Sequence, residues 1–196
     1  MKFIRHTIET APEGSREILE GAQRQLGFVP NLYATMADAP PLLLAYTNMS
    51  NMLNQTSFSS DERNLLWLII SRHNGCSYCV AAHTAIASMA KVSNADLSAA
   101  RNGALFNSPK LEALRTFAEA MIDARGWMSE DSVQAFIDAG FTRTQVLEVI
   151  AFIAHKTMSN FVNHLGETSL DDAFKPFSYQ LEKNNKSLPA TEKPSN

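Results

Sequence analysis

The chain has 196 residues, 45% of them hydrophobic, and 17 Lys plus Arg against 20 Asp plus Glu give a formal net charge of −3. That length and apolar content suit one globular domain and exclude wholesale disorder, and a charge so near neutral gives no reason to expect a nucleic-acid or anionic-membrane partner. With 8 Gly and 8 Pro the collagen-like and low-complexity classes are excluded, and with only 2 Cys, Cys76 and Cys79, so is a disulfide-dense secreted scaffold.

The elements follow one another as helices with marked ends. Glu13 to Gln25 is amphipathic and closes on Gly27. Pro30 then stops helix, and Asn31 is expected to cap a short one from Leu32 to Asp38. Pro40 and Pro41 break the chain again, and Pro41 to Asn54 reads as a third helix with proline in its first turn. After a polar loop, Ser59 and Glu62 form an S-x-x-E capping box. The helix it opens, Asp61 to about His73, is apolar almost all round (Leu65, Leu66, Trp67, Leu68, Ile69, Ile70), which is the pattern of a central buried helix. Asn74-Gly75 interrupts it, and the next helix runs from near Cys76 to about Ala90.

Ser93 and Asp96 resemble a second capping box, opening a short helix that ends at Asn102-Gly103. Ser108-Pro109 starts another, with Leu111, Leu114, Phe117, Ala118, Met121 and Ile122 on one stripe, stopping before Gly126. Ser129 to Asp138 follows. Thr142 and Gln145 cap a long last helix, Arg143 to about Asn163, with Val146, Val149, Ile150, Ile153 and Thr157 on one side. No run alternates long enough to be a strand. The fold class is therefore all-α, a bundle of about eight helices in one domain over residues 1–180. The Lys-, Asn-, Ser-, Pro- and Thr-rich stretch 181–196 is expected to be a disordered tail.

No segment reads as a targeting sequence: Met1 to Gly14 lacks an apolar h-region, and Leu65 to Ile70 is too short to span a bilayer. A reducing compartment, most simply the cytoplasm, is expected, with no membrane partner.

The residues that carry chemistry are Cys76-Ser77-Tyr78-Cys79 and His83. At about 100° per residue, Cys76, Cys79 and His83 fall within roughly 60° on one helical face. Cys79 and His83 are an i, i+4 pair. Cys76 sits at the helix start, where free N–H groups and the macrodipole favour a thiolate. His83 can take a thiol proton or stabilise the thiolate. Contact with His83 favours Cys79 as attacker, and the helix N-terminus favours Cys76. Either way the two sulfurs can close a disulfide after one is oxidised. Competing readings are inert core cysteines, a zinc site for which a fourth ligand is not evident although His155 and His164 are present, and a core His83 unconnected with the thiols. No phosphate loop, Ser-His-Asp set or acidic metal motif is present, so no cofactor and no metal are assigned. Trp67 and the methionines read as packing, and His73 as a solvated helix end. Asn160, Asn163 and His164 read as helix–helix interface unless the last helix packs beside the motif.

Glu62 through Ala87, containing Asn74-Gly75-Cys76-Ser77-Tyr78-Cys79-Val80-Ala81-Ala82-His83-Thr84, resembles the core of the AhpD-like family, which includes the carboxymuconolactone decarboxylases. Gly27-Phe28-Val29-Pro30-Asn31-Leu32-Tyr33 and the helix Leu147 to Leu165, with Asn160, Asn163 and His164, are similar to segments of its peroxidase-related branch. The likeness covers Gly27 to Asp172. It implies an all-helical fold, a small-molecule peroxide or disulfide substrate, a thiol reductant, and a homo-oligomer, a trimer or hexamer. It also implies a relay carboxylate twelve residues before the first cysteine. Asn64 occupies that position, leaving Glu62, two residues earlier, as the candidate, with its capping box as the competing role. In the resulting assignment Cys79 attacks, Cys76 resolves, His83 is the base and Glu62 joins the catalytic set. A non-catalytic or redox-sensing homologue, or a decarboxylase-like enzyme using His83 alone, are the alternatives.

Overall fold

The computed structural model describes residues 3–180; the stretch expected to be a tail lies outside them. Among the described residues there are nine α-helices, one short 3-10 helix and no strand. The α-helices are α1 Glu13–Leu26, α2 Asn31–Met36, α3 Pro40–Leu53, α4 Ser60–His73, α5 Ser77–Met89, α6 Asn94–Asn102, α7 Pro109–Asp123, α8 Glu130–Asp138 and α9 Arg143–Gly166. The 3-10 turn Asp172–Phe177 follows α9. Among the described residues no helix is long and apolar enough to cross a membrane.

Helix α4 is the central element. All of Leu65 to Ile70 is buried, and α5, α6, α7 and α9 pack around it. Its start is the expected capping box, with Ser59 accepting from the Glu62 N–H and the Glu62 carboxylate accepting from the Ser59 N–H. Thr142 and Gln145 make the same reciprocal pair on α9. Ser93 caps α6 by accepting from the Asp96 N–H, but the Asp96 carboxylate takes the Ser93 hydroxyl instead of a backbone N–H, so that box is half formed.

Three expectations change. Asn31 does not cap α2. It is the first residue of that helix, and its own N–H donates to Asp171 Oδ1 at 3.0 Å, so the cap comes from a residue 140 positions away. His73 is no solvated helix end, for its Nε2 lies 2.8 Å from Asp123 Oδ1 on α7. And α9 is turned about its axis. Its buried line runs through Gln145, Val149, Phe152, Lys156, Ser159, Asn160 and Asn163, while Ile150 is exposed. Polar side chains thus occupy the inner face of its second half.

The core has two parts. One gathers around α4 with α6, α7 and α8. The other joins α1, α2, α3 and the start of α5, and it contains Cys76, Tyr78 and Cys79. The thiols therefore lie where α5 meets α3 and α9.

Candidate active site

The turn between α4 and α5 sets the position of the first cysteine. The N–H of Gly75 donates to Arg72 O and the N–H of Cys76 to Ser71 O, both at 2.9 Å, which is the Schellman arrangement. Its left-handed residue is Gly75, with φ of 73°. A side chain there would meet the following carbonyl, so the asparagine-glycine pair is what allows the chain to reverse in so few residues. Cys76 is delivered as the N-cap of α5, and its sulfur accepts from the Cys79 N–H at 3.4 Å.

Both thiols are buried, at 1% and 2% exposure, and both are free. Helix α9 closes over them. Asn163 Nδ2 donates to Cys79 Sγ at 3.2 Å and lies 3.6 Å from Cys76 Sγ. The Ser159 hydroxyl lies 3.9 Å from Cys79 Sγ. Burial alone raises the Cys79 thiol, but hydrogen bonding from Cys76, the charge of Lys156 and the Asn163 and Ser159 side chains outweigh it and push it down to about 5. Its partner moves the other way. The hydrogen bond to Cys79, burial and the Cys79 charge push the Cys76 thiol up. The pair is thus divided into one stabilised thiolate and one thiol that holds its proton.

Neither ring nitrogen of His83 is hydrogen-bonded to a sulfur. Its Nε2 accepts from Lys156 Nζ at 2.8 Å. The ring stacks on Trp67, with centroids 5.7 Å apart. Burial, the Lys156 charge and His155 keep His83 well below the usual imidazole range, so it is neutral at pH 7. His155, stacked on Tyr46 at 4.2 Å, is pushed down to about 3 by burial and by Lys156.

Glu62 is not brought to the thiols. Besides its cap, its carboxylate pairs with Lys110 Nζ at 2.7 Å at the opposite end of α4. A capping residue in the first turn of a 14-residue helix stands about 20 Å from the turn that follows that helix. Asn64 is buried and donates to Ser60 O. Among the described residues no three of His, Cys, Asp and Glu converge to hold a metal ion.

Lys156 is the functional residue that the sequence reading missed, and Ser159 goes with it. Asn163, read conditionally, does line the site. Asn160 bonds to Asn74, and His164 faces outward.

Residues 40–120, which span the whole cysteine–histidine motif, match the carboxymuconolactone decarboxylase family. The fold as a whole is AhpD-like, an all-helical bundle. Among solved structures, the AhpD core of an uncharacterized peroxidase-related protein from Ralstonia eutropha JMP134 is similar at 25% identity. Its TM-score is 0.78, over 88% of this chain and 93% of that one. A peroxidase-related protein from Silicibacter sp. TM1040 shares the fold at 22% identity and TM-score 0.70, over 84% and 88%. So does the debrominase Bmp8 in complex with 2,3,4-tribromopyrrole, at 19% identity and TM-score 0.66, over 84% and 89%. No curated protein sequence matches significantly. Lys156 and Asn163 lie beyond the matched segment, on the helix that closes the site.

Proposed function

We propose that this chain is a thiol-dependent oxidoreductase of the peroxidase-related branch, reducing a small peroxide through the Cys76–Cys79 pair. The observation that carries this reading is the convergence of donors on one sulfur: the Cys76 thiol, the Asn163 amide, the Ser159 hydroxyl and the Lys156 charge all favour a thiolate at Cys79. A structural thiol has no need of such an environment, whereas a nucleophile does.

The steps follow from the two proton states. The Cys79 thiolate attacks the distal oxygen of a hydroperoxide, the O–O bond breaks, and the departing alkoxide takes a proton to leave as alcohol. Cys79 becomes a sulfenic acid. The Cys76 sulfur then attacks it, its proton leaves with the hydroxyl as water, and a disulfide closes. A dithiol reductant returns two electrons and two protons. Burial of both sulfurs favours a small oxidant such as a hydroperoxide over a bulkier disulfide.

An expected homo-oligomer has a matching surface. Leu147, Ile150, Phe161 and Leu165 form an exposed apolar stripe within roughly 60° on the outer side of α9. Sedimentation of the purified protein reports whether copies meet there.

The pH dependence of thiol reactivity tests the reading. A thiolate with a lowered value is present above it and is lost as pH falls through it, so alkylation of Cys79 should hold its rate from pH 8 to 6 and fall as pH approaches 5. A rate still rising tenfold per unit through pH 7 to 8 marks an ordinary thiol and overturns the reading.

A further inference from the structure

Lys156 is fully buried, at 0% exposure, and among the described residues no carboxylate lies within ion-pair distance of it. A buried ammonium without a counter-charge is costly. The groups that face it are few. Helix α5 supplies Cys76, Cys79 and His83, and α9 itself supplies His155. Tyr46 of α3 reaches the cluster through His155, with Tyr33 of α2 against it, and α4 contributes the uncharged Trp67. Of these only Cys79 can carry a negative charge at neutral pH, so the Lys156 ammonium and the Cys79 thiolate balance each other.

The hydrogen bond to His83 adds a direction. Because Nε2 accepts from Lys156, the neutral ring carries its hydrogen on Nδ1, and that buried Nδ1 has no hydrogen-bond partner. A donor with nothing to donate to thus lies across one imidazole ring from the Lys156 ammonium.

We propose that Lys156 is the proton source of the reaction, passing a proton to His83 Nε2 while His83 Nδ1–H protonates the leaving oxygen as the Cys79 thiolate is consumed. The inference rests on the thiol-oxidoreductase reading and assigns the acid that the reading requires. Atoms and charge balance: hydroperoxide, Cys79 thiolate and Lys156 ammonium give Cys79 sulfenic acid, alcohol and neutral Lys156 amine. Oxidation removes the anion and the cation together, so no uncompensated charge is left in the core. Asn64, at the expected relay position, cannot supply a proton at neutral pH, and Lys156 reaches the same histidine from α9 instead.

The consequence is a proton count. If Lys156 loses its proton when the disulfide forms, reduction takes up two protons with two electrons even though Cys79 is a thiolate. The reduction potential against a pH-independent reference then falls by about 59 mV per pH unit, a hundredfold in the equilibrium constant. The experiment is a redox titration of the full chain between pH 6 and 8, paired with ultraviolet absorbance of the thiolate in the reduced protein. The expected result is a thiolate band together with the hundredfold slope. Lys156→Arg keeps the positive charge but cannot release a proton, so it should keep the band and drop to tenfold per pH unit. A thiolate band with a tenfold slope in the unmodified protein means that Lys156 keeps its proton; it overturns the proposal and leaves the oxidoreductase reading standing. Absence of the band, or of a reversible couple, overturns both. If Lys156→Arg does not fold, the slope of the unmodified protein decides alone.

Discussion

Replacing Cys79 with Ser should lower peroxide turnover by roughly a thousandfold or more, because the reaction loses the atom that receives the oxygen. Replacing Cys76 with Ser should look different. The hydroxyl at position 76 can still donate to the Cys79 sulfur, so the thiolate persists and the first step, oxidation to sulfenic acid, goes forward. Resolution then fails, and the protein gives one rapid turnover and stops. A stopped-flow assay with a dithiol reductant separates the two outcomes. Cys79→Ser shows no burst, and Cys76→Ser shows a burst of about one equivalent with no steady state. Full turnover in Cys79→Ser would move the chemistry to His83 without thiols. Equal behaviour of the two variants would contradict the division of labour between the sulfurs.

The second large effect is on stability. Asp171 is buried and serves two clients at once. Its Oδ1 accepts from the Asn31 N–H at the start of α2, and its Oδ2 accepts from the Tyr78 hydroxyl at 2.5 Å. Burial and the carboxylate push the Tyr78 phenol up, so it remains a donor. Tyr78 lies between the two cysteines, and its ring packs edge-on against Phe174 of the 3-10 turn, 6.2 Å away. One carboxylate thus ties the glycine-to-asparagine loop, the motif and the segment after α9 together. Asp171→Ala leaves two buried donors without acceptors and should cost about 2–4 kcal/mol. For a domain of this size that lowers the melting temperature by roughly 5–15 °C. Tyr78→Phe removes only one of the two bonds and should cost about 1–2 kcal/mol. Calorimetry or a thermal melt by circular dichroism reads both. An unchanged Asp171→Ala melt would mean that the clamp contributes nothing.

The fold was legible where the signals are local. Capping boxes at Ser59 and Thr142, prolines at the starts of α3 and α7, and the all-apolar run of α4 each act within a turn of helix, so the sequence displays them directly. The cysteine–histidine motif is legible for the same reason. What was not legible depends on partners far along the chain. Asn31 looks like a cap because its type is right, yet Asp171 does the capping. Glu62 looks available for chemistry until Lys110 is seen beside it.

Helix α9 shows the deeper difficulty. It has apolar residues on two faces, and the outward stripe through Ile150 competes with the true inner line, so the apolar side read from the sequence lies roughly 100° from that line. With that offset Lys156 falls on the side of the helix and draws no attention. On the correct line it follows Val149 and Phe152 at helical spacing, and a lysine on an otherwise apolar seam was the available signal. His83 was placed on the right face, but its partner was assigned within its own helix. Its Nε2 is held instead by Lys156 from α9.

Treating the reduced protein with one equivalent of hydrogen peroxide and measuring the mass of the intact chain and of the peptide holding both cysteines tests the central claim most directly. The expected result is a loss of two hydrogens, located between Cys76 and Cys79, formed rapidly at pH 7 and reversed by a dithiol. A chain that stays unoxidised, or that gains oxygen at methionine while both cysteines remain free thiols, would contradict it.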